Sequence, residues 1–121
     1  MLKKLKQAKS KISSRIFREN TELQYRIGLS AIAASRASYQ NILRLEQADL
    51  KVHSQYGEDG IIDFIMDRLG ISKPTFIEIG TEDYSESNTR FLFQRTSTKG
   101  LIIDGDPALA TKSRRILGDY Y

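Results

Sequence analysis

Two short apolar runs, Phe76-Ile77-Glu78-Ile79 and Leu101-Ile102-Ile103-Asp104, flank a helix-like stretch, and each carries a carboxylate at or near its C-terminal end. Together they read as strand, acidic-glycine turn, helix, strand, acidic turn, which is a βαβ unit. In open parallel α/β sheets, ligands sit in the crevice beyond the carboxyl ends of the strands. A carboxylate there can accept hydrogen bonds from ribose hydroxyls or an amino group, so the layout argues for a nucleotide-like small molecule.

The turn chemistry narrows the ligand. Gly80 directly follows the first run, where a glycine lets the backbone turn sharply and approach a ligand closely. The G-x-G-x-x-G dinucleotide fingerprint is absent, because Thr81, Glu82, Asp83 and Tyr84 replace its later glycines. An acidic turn favours a positively charged ligand over a phosphate. Asp104 follows at the separation suited to a ribose-binding acid. Glu78 and Asp104 can also be read as strand-end acids that cap loops, but their pairing in one βαβ unit favours a ligand.

The flanking segments read as helices. Ile61, Ile62, Ile65, Met66 and Leu69 form an apolar face with Asp63, Asp67 and Arg68 outside it, acids Glu58 and Asp59 at the start and Gly70 as the stop. A second helix is expected from Ser85–Ser87, burying Phe91 and Leu92, and Asp106-Pro107 is a good start for a third through Leu117. Nearer the N-terminus, residues 1–18 hold seven Lys/Arg and no acid, with Leu2, Leu5, Ile12 and Ile16 roughly on one face. That pattern fits either a solvated leader helix or a basic amphipathic helix on an anionic membrane surface or partner. Residues 21–48 suggest a second helix or a continuation of the first. Tyr25, Leu29, Ile32, Tyr39 and Leu43 follow three-four spacing interrupted by Arg36, which suits packing on the neighbouring domain or a self-association seam.

Charge separates the two parts. Residues 1–50 carry ten Lys/Arg against four Asp/Glu, and residues 51–121 carry nine against eleven. The basic character lies outside the α/β part, which argues against nucleic acid as a partner. The chain has no cysteine, so disulfides and thiolate metal sites are excluded, and His53 is its single histidine. No metal site is expected. His53 is read as a partly exposed loop or helix-end residue rather than a catalytic base.

The stretches LKVHSQYGEDGIIDFIMDRLG, TFIEIGTEDYSESNTRFLF and GLIIDGDP, in that order, resemble the N-terminal half of FkbM-type methyltransferases over about Leu45 to Leu109. The resemblance implies a class I, Rossmann-like fold and S-adenosylmethionine as cofactor. It would set Glu78 and Gly80 in the cofactor motif, Asp104 on the ribose hydroxyls, and Asp83 and Asn88 beside the cofactor. Ser54, Gln55, Glu58 and Asp59 would border the pocket, although an N-cap ordering the first helix of the α/β part explains them equally well. Acidic turns suit the sulfonium, ammonium and ribose diol of that cofactor.

A class I sheet has seven strands, and only two are convincing here. The expectation is therefore an α/β chain: a basic helical extension over 1–50, then an incomplete, truncated methyltransferase-like parallel sheet over 51–121. Its acceptor would be a small molecule or glycan, and isolated activity is not expected. Alternatives are an interaction or membrane-surface protein with a vestigial site, contacting the membrane through residues 1–18, and half of a split enzyme completed by another chain. A cytoplasmic location, peripheral to the membrane in the second case, and a homo-oligomer fit these readings.

Overall fold

The structure, a computed structural model, describes residues 1–118; residues 119–121, the last of the expected 51–121 domain, lie outside the described residues. Helix α1 runs unbroken from Leu2 to Arg36. Its Leu, Lys, Gln, Ala and Arg content favours helix, and no proline interrupts it. Residues 21–36 thus continue the first helix, whereas the rest of the expected 21–48 helix does not form. The Ser35 carbonyl accepts both the Ser38 N–H at 2.9 Å and the Ser38 hydroxyl at 2.7 Å, which tightens the final turn and ends the helix. Two 3-10 turns follow, Tyr39–Asn41 and Leu45–Ala48.

Helix α2 (Glu58–Leu69) lies between Gly57 and Gly70, both left-handed. Strand β1 (Phe76–Ile79), helix α3 (Arg90–Thr96), strand β2 (Gly100–Ile103) and helix α4 (Pro107–Gly118) complete the order. The strands pair in parallel, Phe76 opposite Gly100 through Ile79 opposite Ile103. The chain is therefore mixed α/β, with a two-stranded parallel sheet and a long N-terminal helix. Asp106 begins α4 as expected: its Oδ1 accepts the Ala108 N–H at 2.8 Å, and Pro107 needs no donor partner. Helix α3 starts at Arg90 rather than Ser85–Ser87, because residues 85–89 are held as a turn by Glu78.

Two clusters form the core. Ile32, Val52 and Phe91 pack together with Tyr25, Leu29 and Leu50 around them; Tyr39, Ala48 and Phe64 pack with Ile42 and Ile61. The C-terminal half of α1 is thereby seated on the α/β part. Gly28 permits this approach, since a Cβ there would stand 2.6 and 2.8 Å from the Val52 methyls. Ile32 and Tyr39 are buried and Tyr25 and Leu29 half-buried against the α/β part, the packing role that the spacing allows, while Leu43 is exposed.

Helix α2 is turned away from its expected orientation. Ile65 and Leu69 are exposed, while Asp63, expected on the solvent side, is only 1% exposed. Its carboxylate receives two hydrogen bonds from the Arg36 guanidinium at 2.7 and 3.0 Å, one from the Tyr39 hydroxyl at 2.8 Å, and an ion pair with Arg95 at 2.5 Å. Burial works to raise the Asp63 pKa, but the bonds from Arg36 and Tyr39 and the arginine charges outweigh it and hold the group below its ordinary value. Burial, followed by the bond to Asp63, drives the Tyr39 phenol well above its ordinary value.

Removing one partner of a buried ion pair strands the others. Asp63→Ala is expected to cost about 3–5 kcal/mol of unfolding free energy. Urea denaturation of the full chain checks this; a loss below about 1 kcal/mol would show that the cluster is solvated like a surface pair.

Candidate functional site

The C-terminal ends of both strands lead into acidic loops, and the loop after β1 is the more constrained. Gly80, Glu82 and Tyr84 all take left-handed backbone, at φ 75°, 50° and 64°. For Glu82 and Tyr84 this conformation persists only where surroundings over-determine it. They do so here. The Glu82 N–H donates to Asp104 Oδ2 at 2.8 Å, and the Glu82 carbonyl accepts from the Ser113 hydroxyl at 3.0 Å. Arg90 Nη1 donates to the Ser85 carbonyl at 2.6 Å, and the Ser87 N–H donates to the His53 carbonyl at 3.0 Å. Tyr84, fully buried, meets the Thr89 hydroxyl at 3.0 Å, and burial pushes its phenol up to about 12.

Glu78 anchors the far side of this loop. Its carboxylate accepts from the Ser87 hydroxyl at 2.6 Å, the Asn88 N–H at 2.9 Å, the Thr89 N–H at 3.0 Å and the Thr89 hydroxyl. Three of these donors fall on Oε2 and only the Asn88 N–H on Oε1, so Oε1 keeps acceptor capacity. Glu78 works on its own chain, at the entrance to α3. Asp104 spends one oxygen on Glu82 and the other on the Asp106 N–H at 2.9 Å, so each oxygen keeps acceptor capacity. Asp83 accepts from the Ser85 N–H at 3.0 Å and from its hydroxyl, and these two bonds, hydroxyl first, lower its pKa.

The segment before α2 divides. Asp59 points inward, and its Oδ2 accepts the Val52, His53 and Ser54 N–H groups at 2.8, 2.7 and 2.7 Å, together with the Ser54 hydroxyl at 2.8 Å. The N-cap alternative does not form, since Gly57 caps α2 without a side-chain bond; Asp59, within the first turn, ties down the backbone of residues 52–54 instead. Glu58 holds the Tyr56 N–H at 2.8 Å in the same manner. Gln55 instead faces the β1 loop. A polar cleft of about 380 Å³ is lined there by Gln55, Gly80, Glu82, Ser85, Glu86, Ser87 and Asn88. A Cβ on Gly80 would meet nothing within 4 Å, in keeping with an open floor.

Three of the sequence-derived candidates, Gln55, Gly80 and Asn88, thus share one cleft. Asp104 lines a neighbouring one of about 240 Å³ between β2 and α4, with Thr81, Ser113 and Arg114. Glu78, Asp83 and Asp59 line neither. Glu82 and Glu86 also line the first cleft and were not among the candidates; their signal is the acidic composition of the turn after Glu78-x-Gly80. Among the described residues no group of three or more His, Asp or Glu side chains could hold a metal ion, and no helix is long and apolar enough to cross a membrane.

His53 departs from its expected setting. It is 4% exposed, and its Nε2 pairs with Gln94 Oε1 at 2.9 Å. Burial, then the Arg90 charge, lowers its pKa to about 4 against the hydrogen bond to Gln94. The ring is a neutral packing group between the pre-α2 segment and α3. No family model, no curated protein and no solved structure matches the chain.

The His53 shift makes stability depend on pH. The unfolded chain takes its proton near 6.5 and the folded chain only near 4, so the stabilisation is whole above 6.5 and is lost as pH falls towards 4. The loss is on the order of 3 kcal/mol. Denaturant melts across that window should show it, and His53→Gln should flatten that part of the profile; a parallel profile in the variant would assign the loss to the carboxylates instead.

Proposed function

We propose that the chain carries the cofactor-binding βαβ unit of an S-adenosylmethionine-dependent methyltransferase acting on a small-molecule or glycan acceptor. The observation that carries the reading is the polar cleft beyond the C-terminal end of β1, lined by Gln55, Gly80 and Asn88 together with the acidic residues Glu82 and Glu86. Its volume falls within the roughly 300–1,000 Å³ of small-molecule sites. The donor set suits the cofactor's chemistry: acids for the sulfonium and ammonium, amides for polar edges, and an Asp104 carboxylate with spare acceptor sites one strand away for ribose hydroxyls. When bound, the cofactor would supply an electrophilic methyl group. The β1 loop, fixed by bonds from Asp104, Ser113, Arg90 and His53, would hold it without reorganising.

The isolated chain is a binder rather than a catalyst in this reading. The sheet's outer face, Ile77, Ile79, Leu101 and Ile103, is exposed, whereas parallel sheets work with both faces covered. A completed Rossmann-like sheet would need further strands and helices, in a cytoplasmic setting. The engagement of Glu78 Oε2 by three donors of its own loop favours a second reading, a non-enzymatic interaction protein whose strand-end acids serve as caps.

Calorimetric titration with S-adenosylmethionine separates the two. The first reading expects saturable binding, weakened at least about tenfold by Asn88→Ala and by Asp104→Asn. Asn88 is the cleaner test, because only its backbone N–H bonds to Glu78. Absence of binding by the folded wild-type chain would leave the second reading.

A further inference from the structure

Helix α1 has two apolar faces. One, through Thr21, Tyr25, Gly28, Leu29 and Ile32, lies on the body of the molecule. At about 100° per residue, Leu2, Leu5, Ile12, Ile16, Leu23 and Ile27 fall on the opposite side, roughly 160° away. All six are 52–77% exposed. The stripe begins in the segment that projects beyond the body and continues along the back of the seated half, so nothing among the described residues covers it.

Its spacing is that of a coiled-coil seam. Leu2, Leu5, Lys9, Ile12, Ile16, Glu19 and Leu23 alternate steps of three and four residues. Two charged residues stand within it, and they select a partner. Parallel pairing in register would set Lys9 against Lys9 and Glu19 against Glu19. Antiparallel pairing with a two-fold axis beside Ser14 sets Lys9 of each copy against Glu19 of the other. The same register places Ile12 against Ile16, Leu5 against Leu23 and Met1 against Ile27, while Leu2 meets the aliphatic stem of Arg26. Arg15 flanks the axis from both copies, and each is held by its own Glu19 at 2.8 Å. A lipid surface offers no such match, because it would receive the Glu19 carboxylate among its apolar contacts.

We propose that this stripe is a self-association surface, through which two copies of the chain pair as an antiparallel two-helix coiled coil. The bodies sit on the far sides of their helices, so they do not obstruct the seam. Six side chains exposing on the order of 100 Å² each, with the stems of Lys9 and Arg26, approach the roughly 800 Å² per partner of a standard interface.

Sedimentation equilibrium on the full chain should give a dimer. Lys9→Glu should weaken it at least about tenfold by placing like charges together, and Lys9→Glu combined with Glu19→Lys should restore it. Since the chain has no cysteine, Leu5→Cys and Leu23→Cys chains report direction: oxidising their mixture should link 5 to 23, not 5 to 5 or 23 to 23. Circular dichroism of each variant guards against loss of α1. A monomeric wild type, failure of the double swap to restore the dimer, or same-residue crosslinks would each overturn the proposal. A monomer that floats with phosphatidylglycerol-containing vesicles would assign the stripe to a membrane surface instead. None of these outcomes bears on cofactor binding.

Discussion

The buried carboxylate of Asp63 is the point on which the molecule is hung. A charge taken out of water demands compensation, and here it comes from three separate places: Arg36 at the end of α1, Tyr39 in the first 3-10 turn, and Arg95 in α3. Meeting those partners fixes the rotation of α2, the place where α1 stops and the distance from α1 to α3. Tyr39 also packs edge-on against Phe64, with ring centres 5.3 Å apart. Arg95 lies 5.9 Å from the centre of the Phe91 ring in the other apolar cluster. One ionised group therefore couples two cores that share no buried residue.

From there the constraint passes to the cleft. Once Arg95 and Phe91 position α3, its first turn meets Glu78 at strand β1, and the donors of residues 87–89 close on that carboxylate. Arg90 and the His53 carbonyl then hold the middle of the loop, and Asp104 and Ser113 hold its start. The left-handed conformations of Glu82 and Tyr84 are the result of this convergence. Their cost of roughly 1–3 kcal/mol each is offset by bonds from elements on every side.

What could be read from the sequence was whatever depends on neighbours along the chain. The two strands, the stop at Gly70 and the Asp106-Pro107 start of α4 are local signals, and all three hold. Asp63 was misplaced because its arginines lie 27 and 32 positions away, so a helical wheel sees only an acid beside isoleucines. His53 was misplaced for the same reason, since Gln94 is 41 residues distant. The strand-end carboxylates were legible as residues, but the direction each one faces was not. Glu78 turned to its own loop, as Asp59 in the first turn of α2 turned to the backbone before it, because N–H groups without a partner in a helix or strand lay close by. The acids that line the cleft, Glu82 and Glu86, carry no periodicity and gain their position only from the loop's long-range anchors.

The sheet has a further consequence for how the chain behaves in company. Each strand keeps one unpaired edge beside an apolar face, a combination that ordinarily invites indiscriminate stacking. At four residues, however, either edge offers an intruding strand only about two ladder bonds, too few to lock a register. An extended peptide alone gains little there. Whatever settles on this sheet has to bring its own hydrophobic layer, so the short strands act as a filter against aggregation while leaving the face open to a folded neighbour.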